Sequence, residues 1–217
     1  LKTQMNAIIQ KLGELTKLNY TLPISKQEVT INKINLELQS QFEDFARNIK
    51  NELTSSTKYL QFINNHIKKE AKSNVNYLDK LYILQQWYND VKEETVECEI
   101  TDITIPDYTM SIDDVDLKFV FELPEIAKEL ALLKYIISTY KDEMKSVDAL
   151  FYFIFRFIQS INIDDDTLNV EDIETAEVLY KHLSMNKITN LTNHIDKALD
   201  SIQPLRNFEI DPRVFFA

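Results

Sequence analysis

Glycine is almost missing from this chain. Gly13 is the only one in 217 residues, where average usage would give roughly fifteen. No G-x-G-x-x-G, Walker loop or G-x-S-x-G can be written from one glycine, so the nucleotide and hydrolase motifs built on them are excluded. Tight type I′ hairpins must be few, or be made with Asn and Asp. Cysteine is equally scarce: Cys98 stands alone, which rules out an intrachain disulfide and a thiolate metal cluster. His66, His182 and His194 are the three histidines. They lie far apart and none shares a two-ligand helical spacing, so each reads as a helix residue rather than a ligand or general base. No apolar run is long enough to span a bilayer. The first residues, LKTQMNAIIQKLGELTKL, are amphipathic and have no apolar signal-peptide region, so no secretion signal is expected and a cytosolic compartment is the default.

What is present points to a globular chain. Apolar residues make up 44% and charged ones 27%, enough to bury a core and too apolar for disorder. The net charge of −11 is unevenly spread. Residues 1–91 hold 12 basic and 9 acidic side chains, 92–129 hold 3 and 12, and 130–217 hold 9 and 14. An acidic protein is repelled by a phosphate backbone, so nucleic acid is not an expected partner. A basic partner would find its complement in the middle third.

The stretch DALFYFIFRFIQSIN, residues 148–162, is apolar around most of a helical circumference and is expected to be a central buried helix. Met5, Ile8, Ile9, Leu12, Leu15 and Leu18 form a narrow stripe that predicts a peripheral helix within residues 1–20. After Pro23, residues 28–34 read as a short half-exposed strand. Helical spacing returns over 36–53, then in a helix capped by Ser56 or Thr57, then around Trp87. VECEITDITIP, residues 96–106, alternates apolar and acidic and predicts a strand. It would pair with the run 115–121, giving a small acidic β-hairpin region over 95–122, with strand 29–34 as an optional third member. Pro124 opens another helix. The acidic loop after Asn162 leads to a helix capped by Thr167 or Asn169, and a last helix runs through Leu191 to Ile202. Pro212 leaves the aromatic tail NFEIDPRVFFA outside any helix. The expectation is one domain, 1–217, of the α+β class and predominantly α-helical. About eight helices would surround the central one, with a small antiparallel sheet or hairpin.

Residue chemistry names no reaction, and no catalytic residue, cofactor or metal is expected. Asp164, Asp165 and Asp166 fail as an EF-hand because Leu168, Asn169 and Thr175 fall at positions that need other residues; a carboxylate-only metal enzyme over 164–172 is the minority alternative. Cys98 reads as a small buried hydrophobe. Arg156, inside the most apolar run, needs a carboxylate such as Asp148, Asp164 or Glu177, or else serves a partner. Glu97 and Glu99, with Glu93, Glu94 and Asp102, read as a solvated face or a dock for a basic partner. Phe215 and Phe216 either fold back onto the core or anchor a partner groove. Candidate partner-binding residues are thus Leu12, Leu15, Glu97, Glu99, Arg156, Phe215 and Phe216.

Three stretches carry a resemblance: LPISKQEVTINKI with the following LELQSQFEDFARN helix, VNYLDKLYILQQWYNDV at 75–91, and FIQSINIDDDTLNVEDIETAEVLYKHLSMNKITNL at 157–191. In that order they resemble the baseplate hub assembly proteins of T-even-like contractile-tailed bacteriophages. The chain departs from that pattern at Asn32-Lys33-Ile34 and at Gln85-Gln86-Trp87. The resemblance implies a non-catalytic late protein that helps build or forms part of the tail-baseplate hub, in the host cytoplasm or the virion. Its partners would be other phage tail and baseplate proteins, with a homo-oligomer as a further option. An acidic adaptor or chaperone shielding a basic or aggregation-prone client is the alternative.

Overall fold

The computed structural model describes residues 2–48, 52–71, 74–92, 96–100, 102–141, 145–170 and 173–215. It opens with a 14-residue helix, α1 (Lys2–Leu15), followed by strands β1 (Lys17–Thr21) and β2 (Glu28–Asn32). These two strands pair antiparallel, Lys17 opposite Asn32 and Thr21 opposite Glu28. Residues 28–34 therefore meet the chain immediately before them, not the middle segment. Between the strands, Lys26 adopts a left-handed φ of 56°. The turn is held from outside: the Asp79 carboxylate accepts the backbone N–H groups of Ile24 at 2.8 Å and Ser25 at 2.9 Å.

Two helices follow, α2 (Leu36–Arg47) and α3 (Glu52–Glu70). Asn35 caps α2 by accepting the Leu38 N–H at 2.8 Å, and the helix ends at Arg47 rather than continuing to residue 53. Ser56 and Thr57 lie inside α3, so neither is its cap. Next comes α4 (Tyr77–Lys92), which buries nine residues, more than any other helix among the described residues. Trp87 sits at its inner face and donates its indole N–H to the Asn32 carbonyl at 3.1 Å. Through Trp87 and Asp79, α4 is fastened to the β1–β2 hairpin at two heights.

The middle third folds differently from its sequence pattern. Residues 96–100 and 102–107 belong to no strand. The alternation is nonetheless real: Val96, Cys98 and Ile100 are half-buried, and Glu97 and Glu99 are exposed. An extended segment can hide alternate side chains without a ladder partner, so periodicity reported the faces and not the pairing. The hairpin is made instead by β3 (Tyr108–Ile112) and β4 (Val115–Phe121), with Ile112 opposite Val115. Asp113 and Asp114 between them have φ of 49° and 65°, the two left-handed positions of a type I′ turn, filled here without glycine.

The largest departure concerns residues 148–162. The helix α6 covers Ser146–Phe155 and stops; β5 (Ile158–Ile163) begins three residues later. An all-round apolar run satisfies a buried strand as well as a buried helix. Here the ladder decides, because β5 lies between β4 and β6 (Asp166–Asn169), making a four-stranded antiparallel sheet in the order β3-β4-β5-β6. A central helix over 148–162 is therefore replaced by a helix–strand corner. Thr167 and Asn169, expected as helix caps, are strand residues.

Packed around these are α5 (Ile126–Tyr140), α7 (Ile173–His182), α8 (Met185–Ala198) and α9 (Gln203–Ile210), with short 3-10 turns at Asp200–Ile202 and Pro212–Phe215. Pro204, in the first turn of α9, costs that helix no hydrogen bond, and the tail before Pro212 is helical where none was expected. Mixed α+β with nine α-helices among the described residues and two antiparallel sheets is the architecture. None of the helices is long and apolar enough to cross a membrane.

Candidate functional site

Arg156 caps the C-terminus of α6 and is 2% exposed. It is answered by Glu129 of α5 and Glu209 of α9, neither of which was anticipated. Its Nη1 donates to Glu129 Oε1, and its Nη2 lies 3.9 Å from Glu209 Oε2. Lys80 of α4 completes the cluster, donating to both oxygens of Glu129 at 2.9 and 2.7 Å and pairing with Glu209. The Tyr77 hydroxyl donates to Glu209 Oε2 at 2.8 Å, and the Asn64 amide reaches Glu129 at 3.4 Å. Of the carboxylates expected for Arg156, Asp164 is exposed at a hairpin turn and Glu177 accepts the Tyr135 hydroxyl.

Two cations thus face two anions in a dry centre. Aromatic rings close it off: the Arg156 guanidinium carbon lies 4.1 Å from the Phe153 centroid and 4.8 Å from that of Phe157, and Lys80 Nζ lies 4.8 Å from that of Tyr77. Ring faces carry partial negative charge and so take part of the solvation that water would supply. Arg156 Nε and Nη2 have no hydrogen-bond acceptor, and this stacking is what they receive instead. Burial pushes the Glu209 carboxyl up, but Lys80, Arg156 and the hydrogen bonds from Lys80 and Tyr77 outweigh it and hold the group below the usual carboxylate range. Burial drives the Tyr77 phenol well above its ordinary value, with Glu209 adding to it. The Arg156 charge is opposed by burial and favoured more strongly by Tyr77, Glu129 and Glu209.

A signal for this centre was present in the spacing. Lys80 falls on the stripe of Tyr77, Leu81 and Leu84, and Glu129 on that of Ile126, Leu130 and Leu133. A charge at an inward helical position needs a buried partner of opposite sign, and the two could have been matched.

The other candidates separate by exposure. Phe215 is fully buried and stacks on Phe42, centroids 5.5 Å apart, with Phe208 at 6.0 Å. Of the two readings of the tail, Phe215 takes the folded-back one, so it is not an exposed anchor; Phe216 lies outside the described residues. Leu12 and Leu15 are 56% and 74% exposed, and Met5, Ile8 and Ile9 on the same helix are each more than half exposed. Glu97 and Glu99 are exposed, while Glu93 and Glu94 lie outside the described residues. Cys98 is half-buried with Sγ 3.6 Å from the Ser201 carbonyl. His66 packs on Phe62, and His194 on Tyr108 and Phe121. Among the described residues no three His, Cys, Asp or Glu side chains are grouped to hold a metal ion.

One cleft, of roughly 790 Å³, opens between α5, the end of α6 and the β5–β6 edge. Leu132 and Phe155 lie in its wall beside Lys128, Glu122, Ser160 and Asn169. Lys128 is already engaged, donating to Glu122 at 2.6 Å and to the Ile158 carbonyl at 2.9 Å. The chain matches no family model, no curated protein and no solved structure.

Removing one member of the buried cluster leaves the others uncompensated. Arg156→Met should cost about 3–5 kcal/mol in urea-induced unfolding, whereas a partner-binding arginine would lose binding with stability unchanged. Glu209 has a folded pKa below its unfolded one, so its stabilisation is complete above the ordinary value of about 4.3. It disappears as pH falls through the folded value. Glu209→Gln should therefore be less stable at neutral pH and show a flatter loss of stability below about pH 4 than the wild type.

Proposed function

We propose that this chain is a non-enzymatic assembly subunit or assembly factor of the tail-baseplate hub in a contractile-tailed bacteriophage, working in the host cytoplasm by protein–protein contact. One observation carries the reading: α1 presents Met5, Ile8, Ile9, Leu12 and Leu15 to solvent on a single helix. Such a stripe normally faces a core or a partner. A helix of 14 residues is marginal in water without a surface to pack on. The exposed Glu97 and Glu99 add an acidic contact for a basic partner.

Two of the stretches that carry the resemblance touch each other in this fold. Asp79, within VNYLDKLYILQQWYNDV, is fully buried and holds the backbone of LPIS through Ile24 and Ser25.

Co-expression with the other hub proteins tests the proposal. The wild-type chain should co-purify with at least one of them, and Leu12→Glu with Leu15→Glu should abolish that capture while leaving the thermal midpoint nearly unchanged. Unchanged capture by the double variant would remove α1 as the docking element. Capture that collapses with added salt and is lost in Glu97→Lys with Glu99→Lys, but not in the α1 variant, would favour the acidic adaptor instead.

A further inference from the structure

The register of the four-stranded sheet exposes a second apolar surface that the hub reading does not use. Residues directly paired across an antiparallel ladder share a face. Ile112 pairs with Val115, Leu117 with Ile163, and Ile161 with Leu168. The inner part of this face is buried, with Phe119 and Ile161 at 0% and 1% exposure. Its outer end and its β6 edge are not: Val115 and Ile163 at the end are 41% and 37% exposed, and Leu168 on the edge strand beside Ile161 is 41% exposed.

Both hairpin turns lie at that same end, because Leu117 near the start of β4 meets Ile163 at the close of β5. They carry Asp113, Asp114 and Asp116 on one hairpin and Asp164, Asp165 and Asp166 on the other, all exposed. Lys187 is the nearby cation, tied to the Ser111 carbonyl at 2.7 Å, and Lys118 is drawn away to Asp107. An exposed apolar face with an acidic rim suits an amphipathic segment of opposite charge.

The chain contains one. Residues 2–17, which are α1 and the start of β1, hold Lys2, Lys11 and Lys17 against Glu14 alone, and α1 carries the exposed apolar stripe. We propose that the α1 arm of one copy docks on the acidic outer end of the β3–β6 sheet of a second copy. Pairing of α1 with α1 would instead offer a seam of only two heptads, short for a stable dimer. Arm-to-sheet contact joins two different surfaces, so a pair keeps one free arm and one free sheet end, and association can extend beyond a dimer. The contact uses the same α1 stripe as the hub reading but needs only copies of this chain, so self-association of the purified protein with no hub protein present tells the two apart.

Analytical ultracentrifugation of the full chain over a concentration series, at low and high salt, provides the test. Wild type should self-associate beyond a dimer at low salt and weaken on adding salt. Leu12→Arg and Leu168→Arg should each reduce self-association by roughly tenfold or more. Mixing these two variants should restore a one-to-one pair and nothing larger, since each supplies the surface that the other lacks. Both positions are exposed, so circular dichroism should show wild-type folding; if Leu168→Arg is misfolded, Asp165→Lys at the turn replaces it in the same mixing design. A wild type that is monomeric at every concentration overturns the proposal. So does undiminished association of the sheet-end variant, or a mixture that fails to pair although the wild type associates.

Discussion

Four charged side chains with almost no exposure organise this fold. Lys80, Glu129, Arg156 and Glu209 come from α4, α5, the end of α6 and α9, and their side chains are between 0% and 3% exposed. Their attraction does not by itself make the protein stable. Taking two such pairs out of water costs several kcal/mol per ion, and well-packed apolar residues would often do as well. What the cluster does is exclude alternatives. Any arrangement that separates α9 from α4, or turns α5 about its axis, leaves an uncompensated charge in a dry interior. The helix–strand corner follows from the same constraint: Arg156 must point at Glu129 and Glu209, and the chain leaves α6 there to enter the sheet as β5.

Outward from this centre, a few polar anchors set the remaining parts. Asp79 is one residue before Lys80 and faces the other way, fixing the β1–β2 turn while its neighbour joins the ionic cluster. Trp87, further along the same helix, ties the end of β2. Phe215 closes the opposite side over Phe42 and Phe208. α4 thereby links the N-terminal hairpin to the C-terminal helix. The α1 stripe and the acidic end of the sheet are two exposed surfaces that these anchors leave uncovered.

Much of this was legible in the residues, and the failures have definite causes. Amphipathic periodicity located the helices around Trp87, Leu133 and Leu191, because a helix packed on a core writes its buried face into its spacing; it also located α1 around Leu12, whose stripe is exposed. The scarcity of glycine correctly implied an aspartate-built turn, which Asp113 and Asp114 supply. Periodicity failed where burial is not one-sided: 148–162 is apolar on all sides, and only the ladder with β4 and β6 shows that its second half is a strand. The segment 96–106 failed in the opposite sense, since its alternating burial is real and its strand pairing is not. For the site, the need of Arg156 for a carboxylate was evident from its setting. Its partners were not, because Glu129 lies 27 residues before it and Glu209 lies in a tail where Pro212 had argued against helix.

The claim that one buried charge cluster binds distant parts of the chain into a single unit is tested most directly by native-state hydrogen exchange. If it holds, the slowest amides of α4, α5 and α9 should open with one common free energy, equal to that of global unfolding. α9 is the sensitive element, being short and near the end of the described chain. Amides of α9 that open at a markedly lower free energy, with α4 and α5 still protected, would contradict it.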